Sequence, residues 1–220
     1  MQTINVNGYR YHDIVLYLAG LLTALGEKVF VRDMSEDMSI YRYLPEVKGI
    51  EAGSVIELKG VGFAQGLMPA PEECTYCFNL WDPVRSLSYV REDIGGDFRL
   101  FITDEEPMHE KDMDYSMRFS ALGTAEDESF FVIRDYVGIV MQNLIRMFSG
   151  SGKNKVFRLP YSEKDRKAEL YLTVRDDISV RTVSDKMSCL LEELIARIRP
   201  ETGCGEFERA YKTSMRGGSR

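Results

Sequence analysis

Histidine is scarce in this sequence, with two in 220 residues, His12 and His109. That excludes a histidine-rich metal site. It also leaves no Ser-His-Asp or Cys-His set, because the two histidines stand in unrelated contexts. Cysteine is scarce as well: four unevenly placed residues make no disulfide framework. No apolar run approaches the ~18–20 residues that span a bilayer. The N-terminus lacks the basic segment followed by an apolar one that marks a signal peptide. Internal repeats and low-complexity segments are absent. Basic charge is in deficit, 28 Lys+Arg against 35 Asp+Glu for a net charge of −7. That argues against broad nucleic-acid binding as the main activity. No lysine precedes Lys28.

What is present describes a folded, cytoplasmic domain. Apolar residues make up 44%, enough for one well-buried core in a chain of this length. Charged and aromatic residues, 29% and 11%, exclude global disorder. Residues 1–200 read as one domain. Residues 201–220 read as a basic, flexible tail, since 209–220 carries Arg209, Lys212, Arg216 and Arg220 with no acidic residue. Such a terminus is a solubilising end or a contact for an acidic partner, a lipid or nucleic acid.

The order of elements narrows the fold class. Thr3–Val6 alternates as a short strand and ends at the turn pair Asn7-Gly8. From Asp13 to Leu25, Ile14, Leu18, Leu21, Leu22 and Leu25 recur at helical spacing, with Asp13 at the start and Gly26 as a stop. Val29–Val31 is an unbroken apolar run expected of a strand covered on both faces. Further strands are expected at 55–58, 77–80, 99–102, 130–133 and 155–159, and helices around 111–121, 137–148 and 183–198. Strands alternating with helices imply an α/β domain, a mostly parallel doubly wound sheet with helices on both faces.

The stretch Leu18–Asp33, LAGLLTALGEKVFVRD, resembles the first helix and second strand of ParA/MinD-type P-loop ATPases, commonly worded N-L-A-x-x-L-A-x-L-G-K-x-V-L-L-I-D. Three later pieces keep that family's order. Thr75–Pro83 resembles its Y-D-x-I-I-I-D-x-P strand, Phe98–Pro107 its D-x-v-l-l-V-x-x-P-e strand, and Val156–Tyr161 its l-P-y-d strand end. The likeness spans roughly residues 2–198. It implies the P-loop fold and the function class that positions plasmids, division sites, flagella and pili.

The family's phosphate loop, K-G-G-x-G-K-[ST]-T, is degenerate here. Aligned without gaps it falls on Val6–Asp13, and only Gly8 matches. The phosphate-binding lysine becomes Tyr11, the magnesium-binding hydroxyl becomes His12, and Asp13 brings negative charge where phosphates would sit. Tyr9 and Arg10 crowd a loop whose glycines let backbone approach a nucleotide. Arg10 supplies charge without the compact ammonium of lysine. The family's aspartates fall on Asp33 and, in shifted register, Asp82. No cofactor is therefore expected, neither ATP nor magnesium. The face built from Gly8, Tyr9, Arg10, Tyr11, His12 and Asp13 becomes an interface candidate instead. Tyr9, Tyr11, Tyr17, Tyr41 and Tyr43 either adhere to a partner there or fill the vacated pocket.

Four other motifs have plainer readings. Ser149–Asn154 contains Gly-Lys but follows a helix and precedes a strand, the reverse of a Walker loop. Gly60–Gly66 has dinucleotide-like glycine spacing, yet Pro69 and Pro71 fall where a helix should start, so a turn or loop is expected. Cys74 and Cys77 have redox or zinc-knuckle spacing without a second pair, and read as ordinary thiols. Asp104–Glu106 reads as a solvated loop, at a sheet edge where ligands or partners also bind.

The expected function is a non-catalytic ParA/MinD-like scaffold, adaptor or positioning factor, serving a bacterial pilus or secretion machine by resemblance. Its partners would be proteins, a second copy among them, and it would reach the inner face of the membrane through them. The alternatives are an active nucleotide switch using Arg10, His12 and Asp33, and a module that binds membrane or nucleic acid through the basic tail.

Overall fold

The computed structural model describes residues 1–35, 39–44, 54–82, 96–120, 128–138, 141–149, 154–174 and 182–216. Pro83, Ala121, most of the Ser149–Asn154 loop, the side chain of Tyr41 and residues 217–220 lie outside the described residues. The chain runs β1 (Gln2–Gly8), α1 (His12–Ala24), β2 (Val29–Asp33), a 3₁₀ turn (Ser39–Tyr43), β3 (Ile56–Leu58), β4 (Val61–Gln65), β5 (Tyr76–Trp81), β6 (Phe98–Asp104), α2 (Pro107–Ser120), β7 (Glu128–Arg134), α3 (Gln142–Ser149), β8 (Lys155–Leu159), α4 (Glu163–Val174), α5 (Asp185–Ile198) and α6 (Cys204–Arg216). The strands form one sheet in the order β3-β4-β2-β5-β1-β6-β7-β8. Every pairing is parallel except β3 with β4.

Period-2 alternation sends each strand's side chains to two covered faces. In β6, Phe98, Leu100 and Ile102 join a core formed with α1, α4, α5 and α6, while Phe101 joins Met113, Leu144, Ile145 and Phe148 on the opposite face. β1 and β2 do not touch, because β5 lies between them. Asn5 of β1 and Asn79 of β5 stand opposite each other, and the Asn79 amide donates to Asn5 Oδ1 at 3.0 Å. A one-residue slip would strand both buried amides, so the pair favours this register.

α1 is buried on nearly every side, from Ile14 to Leu22, between the sheet and the helices α5 and α6. It ends in a Schellman motif: Gly26 N–H donates to Thr23 O and Glu27 N–H to Leu22 O, both at 3.0 Å. Gly26 takes a φ of +91°, which glycine adopts without penalty.

Three sequence expectations change. Gly60–Gly66 is not a loop: Lys59 and Gly60, at φ +51° and +78°, form a two-residue hairpin turn, and β4 follows it. The glycine spacing has a packing cause at Gly62, where a Cβ would lie 2.7 Å from the Phe30 ring. The segment 201–216 is not a flexible tail: α6 buries Phe207 and Ala210 against α1. Arg199, which donates to Glu27 and Glu206 at 3.0 Å each, ties it to the end of α1. Helix α3 starts at Gln142 rather than Val137, because Val137 is exposed and Gly138 has φ +86°. Helix α4 was not foreseen. Its inward positions are Asp165, Ala168, Glu169 and Leu172, so half its buried face is acidic and no apolar stripe marks it.

Candidate functional site

The β1–α1 connection lies at the C-terminal edge of the sheet, where open α/β sheets bind ligands. It is three residues long, Tyr9, Arg10 and Tyr11. Of the stretch Val6–Asp13, three residues therefore lie in β1, three in the connection and two in α1. Gly8 has φ +142°, and a Cβ there would sit 1.7 Å from the Ile102 carbonyl oxygen. Tyr9 N–H donates to that same oxygen at 2.8 Å, so the backbone turns hard against β6. Arg10 follows in the left-handed region at φ +51°, a conformation that costs a side-chain-bearing residue about 1–2 kcal/mol. Its carbonyl accepts a hydrogen bond from the Arg134 guanidinium, which helps to hold it there.

Each loop side chain leads to a different neighbour. Tyr9 stacks on His109, ring centroids 3.7 Å apart, and its hydroxyl donates to Asp112 Oδ2 at 2.6 Å. Burial, then that hydrogen bond and the charges of Asp112, Asp82 and Asp104, hold the Tyr9 hydroxyl firmly protonated. His109 Nδ1 lies 2.6 Å from Asp104 Oδ1 at the end of β6. Tyr11 is buried, its hydroxyl 3.2 Å from Ser39 Oγ, and His12 stacks on Tyr43. Burial pushes the Tyr43 hydroxyl up to about 12.

Asp33, fully buried at the end of β2, organises the turn beneath Tyr11. Its Oδ1 accepts from the Ser35 N–H at 2.9 Å and from the Ser35 hydroxyl, and its Oδ2 accepts from Ile40 N–H at 2.9 Å. Asp13, in the first turn of α1, is 1% exposed and receives both terminal nitrogens of Arg134 from the end of β7, Nη2 at 2.9 Å from Oδ2. Burial alone would lower the Arg134 pKa. The charge and hydrogen bond of Asp13, with Glu169, reverse this and hold it above the ordinary arginine range. Arg10 pairs with Asp135 and reaches Glu169 Oε2 at 3.4 Å and Asp104 at 3.8 Å.

The structure thus brings Gly8, Tyr9, Arg10, Tyr11, His12 and Asp13 together and connects them to Asp33 through Ser39 and Ser35. Asp82, half-buried just beyond β5, bears on Tyr9. Of the tyrosines, Tyr11 and Tyr17 are buried filling, while Tyr9 and Tyr43 are partly exposed. Sequence reasoning missed Arg134, Asp135, His109 and Glu169. The signal for the first two is a charged pair closing the apolar run Phe130–Ile133, at the strand end where sites form. Glu169 lies on a helix without an apolar stripe and carries no such signal.

Two donor sets remain for a metal or redox reading. Asp104, Glu106 and His109 bring one ligand atom each within 4.8 Å of one another. Asp104 and His109 are already paired, with Arg10 as a competing cation beside Asp104. Cys74 and Cys77 are buried in one apolar cluster with Phe30 and Ala64. Burial pushes the Cys77 thiol up to about 11, so it is a poor thiolate at neutral pH.

No family model matches the chain, and no curated protein matches it in sequence. Solved structures do match it in three dimensions. A chain from the MinC:MinD cell division protein complex of Aquifex aeolicus superposes with a TM-score of 0.57 at 10% identity, covering 100% of this chain and 98% of that one. A ParA family ATPase from Chlorobium tepidum TLS superposes at 0.51 and 11% identity, covering 97% of each. The fold is that of the MinD and ParA ATPases. Within it, Tyr9–Tyr11 connects β1 to α1. No helix among the described residues is long and apolar enough to cross a membrane.

Proposed function

We propose that the chain is a non-catalytic MinD/ParA-like domain that acts as a scaffold, adaptor or positioning factor, and that it serves a bacterial pilus or secretion machine. The observation that carries the first part is the buried Asp13–Arg134 pair. A helix N-terminus binds phosphate through free N–H groups and positive potential. Here the Asp13 carboxylate in the first turn of α1 is already taken by Arg134, and the loop before it is packed with tyrosine. An incoming nucleotide would meet filled space and a helix start whose polar groups are already engaged. The machine is assigned from sequence resemblance alone, which is an argument by analogy.

Protein partners are the ligands this reading expects. Met108, Val137 and Tyr161, which follow β6, β7 and β8 at the same edge, are 64–70% exposed and offer apolar contact area. One structural neighbour is part of a two-protein assembly named MinC:MinD, which supports a binding role by likeness of fold. A second copy of this chain is the other partner expected at this edge. The exposed Arg209 and Lys212 on α6 suit an acidic partner or a membrane surface. The rival reading, an active switch using Arg10, His12 and Asp33, has little to work with. Arg10 is held by Asp135 and Glu169, and both Asp33 oxygens are hydrogen-bonded within the turn.

Calorimetric titration with ATP and ADP in the presence of magnesium tests the proposal. No heat of binding is expected up to millimolar nucleotide. Micromolar binding with phosphate release that Arg10→Ala abolishes would establish the switch instead.

A further inference from the structure

Beside the β1–α1 connection, three guanidiniums converge on one carboxylate oxygen. Glu169 Oε2, on α4, lies 2.7 Å from Arg166 Nη1, 3.4 Å from Arg10 Nη2 and 3.7 Å from Arg134 Nη2. The other acids nearby are already engaged. Asp13 holds Arg134, Asp135 holds Arg10, and Asp165 accepts from the backbone N–H and hydroxyl of Ser184 at the start of α5. Asp104 stands 3.8 Å from Arg10. Among the described residues, Glu169 is therefore the one carboxylate that all three arginines share.

Two further observations point to a ligand. The Arg134 side chain is 4% exposed, yet its Nε–H has no acceptor among the described residues. A buried donor left unpaired costs about 1–3 kcal/mol. Arg134, Arg10 and Arg166 also line a cavity of about 10 Å³ with Ser162, Glu169 and the already engaged Asp135 and Asp165, room for a single water. The cavity can be reached from solvent along the side chains of Arg10 and Arg166, which are 31% and 45% exposed.

We propose that Arg10, Arg134 and Arg166, with Ser162, form a phosphate-binding site that Glu169 keeps filled. The ligand is inorganic phosphate or a phosphate monoester, which binds when the Glu169 side chain rotates out. The proposal rests on the preceding reading in one respect: the site takes a lone phosphate group, not a magnesium-bound nucleotide held by the β1–α1 loop. Phosphate suits the cradle because its several oxygens can meet all three forked guanidiniums at once, where Glu169 offers them one shared oxygen beside the pairs that Asp13 and Asp135 already make. Exchange of ligand for Glu169 would replace the direct link from α4 to Arg10 and Arg134 with one through the phosphate and Arg166, which is also on α4.

The test is titration with inorganic phosphate, followed by calorimetry and thermal shift against matched chloride. Glu169→Ala is expected to bind at least tenfold more tightly than the native chain, and Arg166→Ala in that background to reverse the gain. Glu169→Gln keeps the volume and removes the charge, and is expected to behave like Glu169→Ala. Should either variant fail to fold, recovery of its cooperative melt by phosphate and not by chloride would support the site. If neither folded variant binds more tightly than the native chain, or phosphate rescues neither unfolded one, the proposal is overturned. Phenyl phosphate separates the sources. Equal binding points to a phosphate carried on a larger molecule, and binding of inorganic phosphate alone points to the free anion. Turnover of ATP by the native chain would overturn the non-catalytic reading and leave the phosphate titration to decide this site.

Discussion

The two flanks of the β1–α1 connection satisfy buried carboxylates in opposite ways. On the β2 flank, Asp33 is held by neutral donors, the N–H groups of Ser35 and Ile40 and the Ser35 hydroxyl, two and seven residues away in sequence. On the β7 flank, Asp13 is held by a guanidinium 121 residues away, and that guanidinium shares Glu169 with an arginine 159 residues from it. The first flank is a local turn built around an acid. The second is a long-range ion lattice in which each charge depends on another. Removing one member should cost more on the second flank, because it leaves an uncompensated buried charge, while the first leaves unpaired dipoles.

The largest effect is expected from Arg134→Met, a loss of about 3–5 kcal/mol in a urea melt. The double change Asp13→Leu with Arg134→Met should recover most of it. A double variant no better than the single one would break the comparison, since the destabilisation could not then come from the stranded carboxylate. Asp33→Ala should cost less, about 2–3 kcal/mol, by leaving two buried N–H groups without acceptors. A loss greater than that of Arg134→Met would invert the order of the flanks.

The smallest effect concerns Tyr43, which closes the β2 flank. Its folded pKa of about 12 lies above the usual 10.0, so the folded state keeps its proton where the unfolded chain has lost it. That contribution is intact below pH 10 and disappears as pH rises from 10 to about 12. Tyr43→Phe should change stability little at pH 7 and flatten the decline across that alkaline window. An unchanged slope in pH-dependent urea melts would remove Tyr43 from the account.

The same contrast explains what could be read from the residues alone. The parallel sheet was legible because unbroken apolar runs such as Phe130–Ile133 mark strands covered on both faces and the apolar residues of α1 recur at helical spacing. The departure from the family's loop rests on residue types alone, Tyr11 and His12 standing where the resemblance places lysine and a small hydroxyl. Asp33 was singled out by resemblance, but its hydrogen-bond partners were not, because a carboxylate does not announce which N–H groups it will meet. The lattice of Arg134, Glu169 and Asp135 was invisible. Its members come from β7 and α4, which only the completed sheet brings beside β1. Helix α6 was hidden by its charged exterior, although Phe207 and Ala210 already had helical spacing.

The position of β5 between β1 and β2 bears on how the chain is made. When a ribosome has synthesised residues 1–33, it has released two strands that cannot pair with each other. Their shared neighbour, Tyr76–Trp81, follows some forty residues later. At about 5–20 residues per second, that interval lasts roughly 2–9 s. Until β5 appears, β1 has no strand partner, β2 has only β4 to pair with, and the largely apolar α1 has no continuous sheet to cover. The nascent N-terminal third is therefore the segment on which a chaperone would act first.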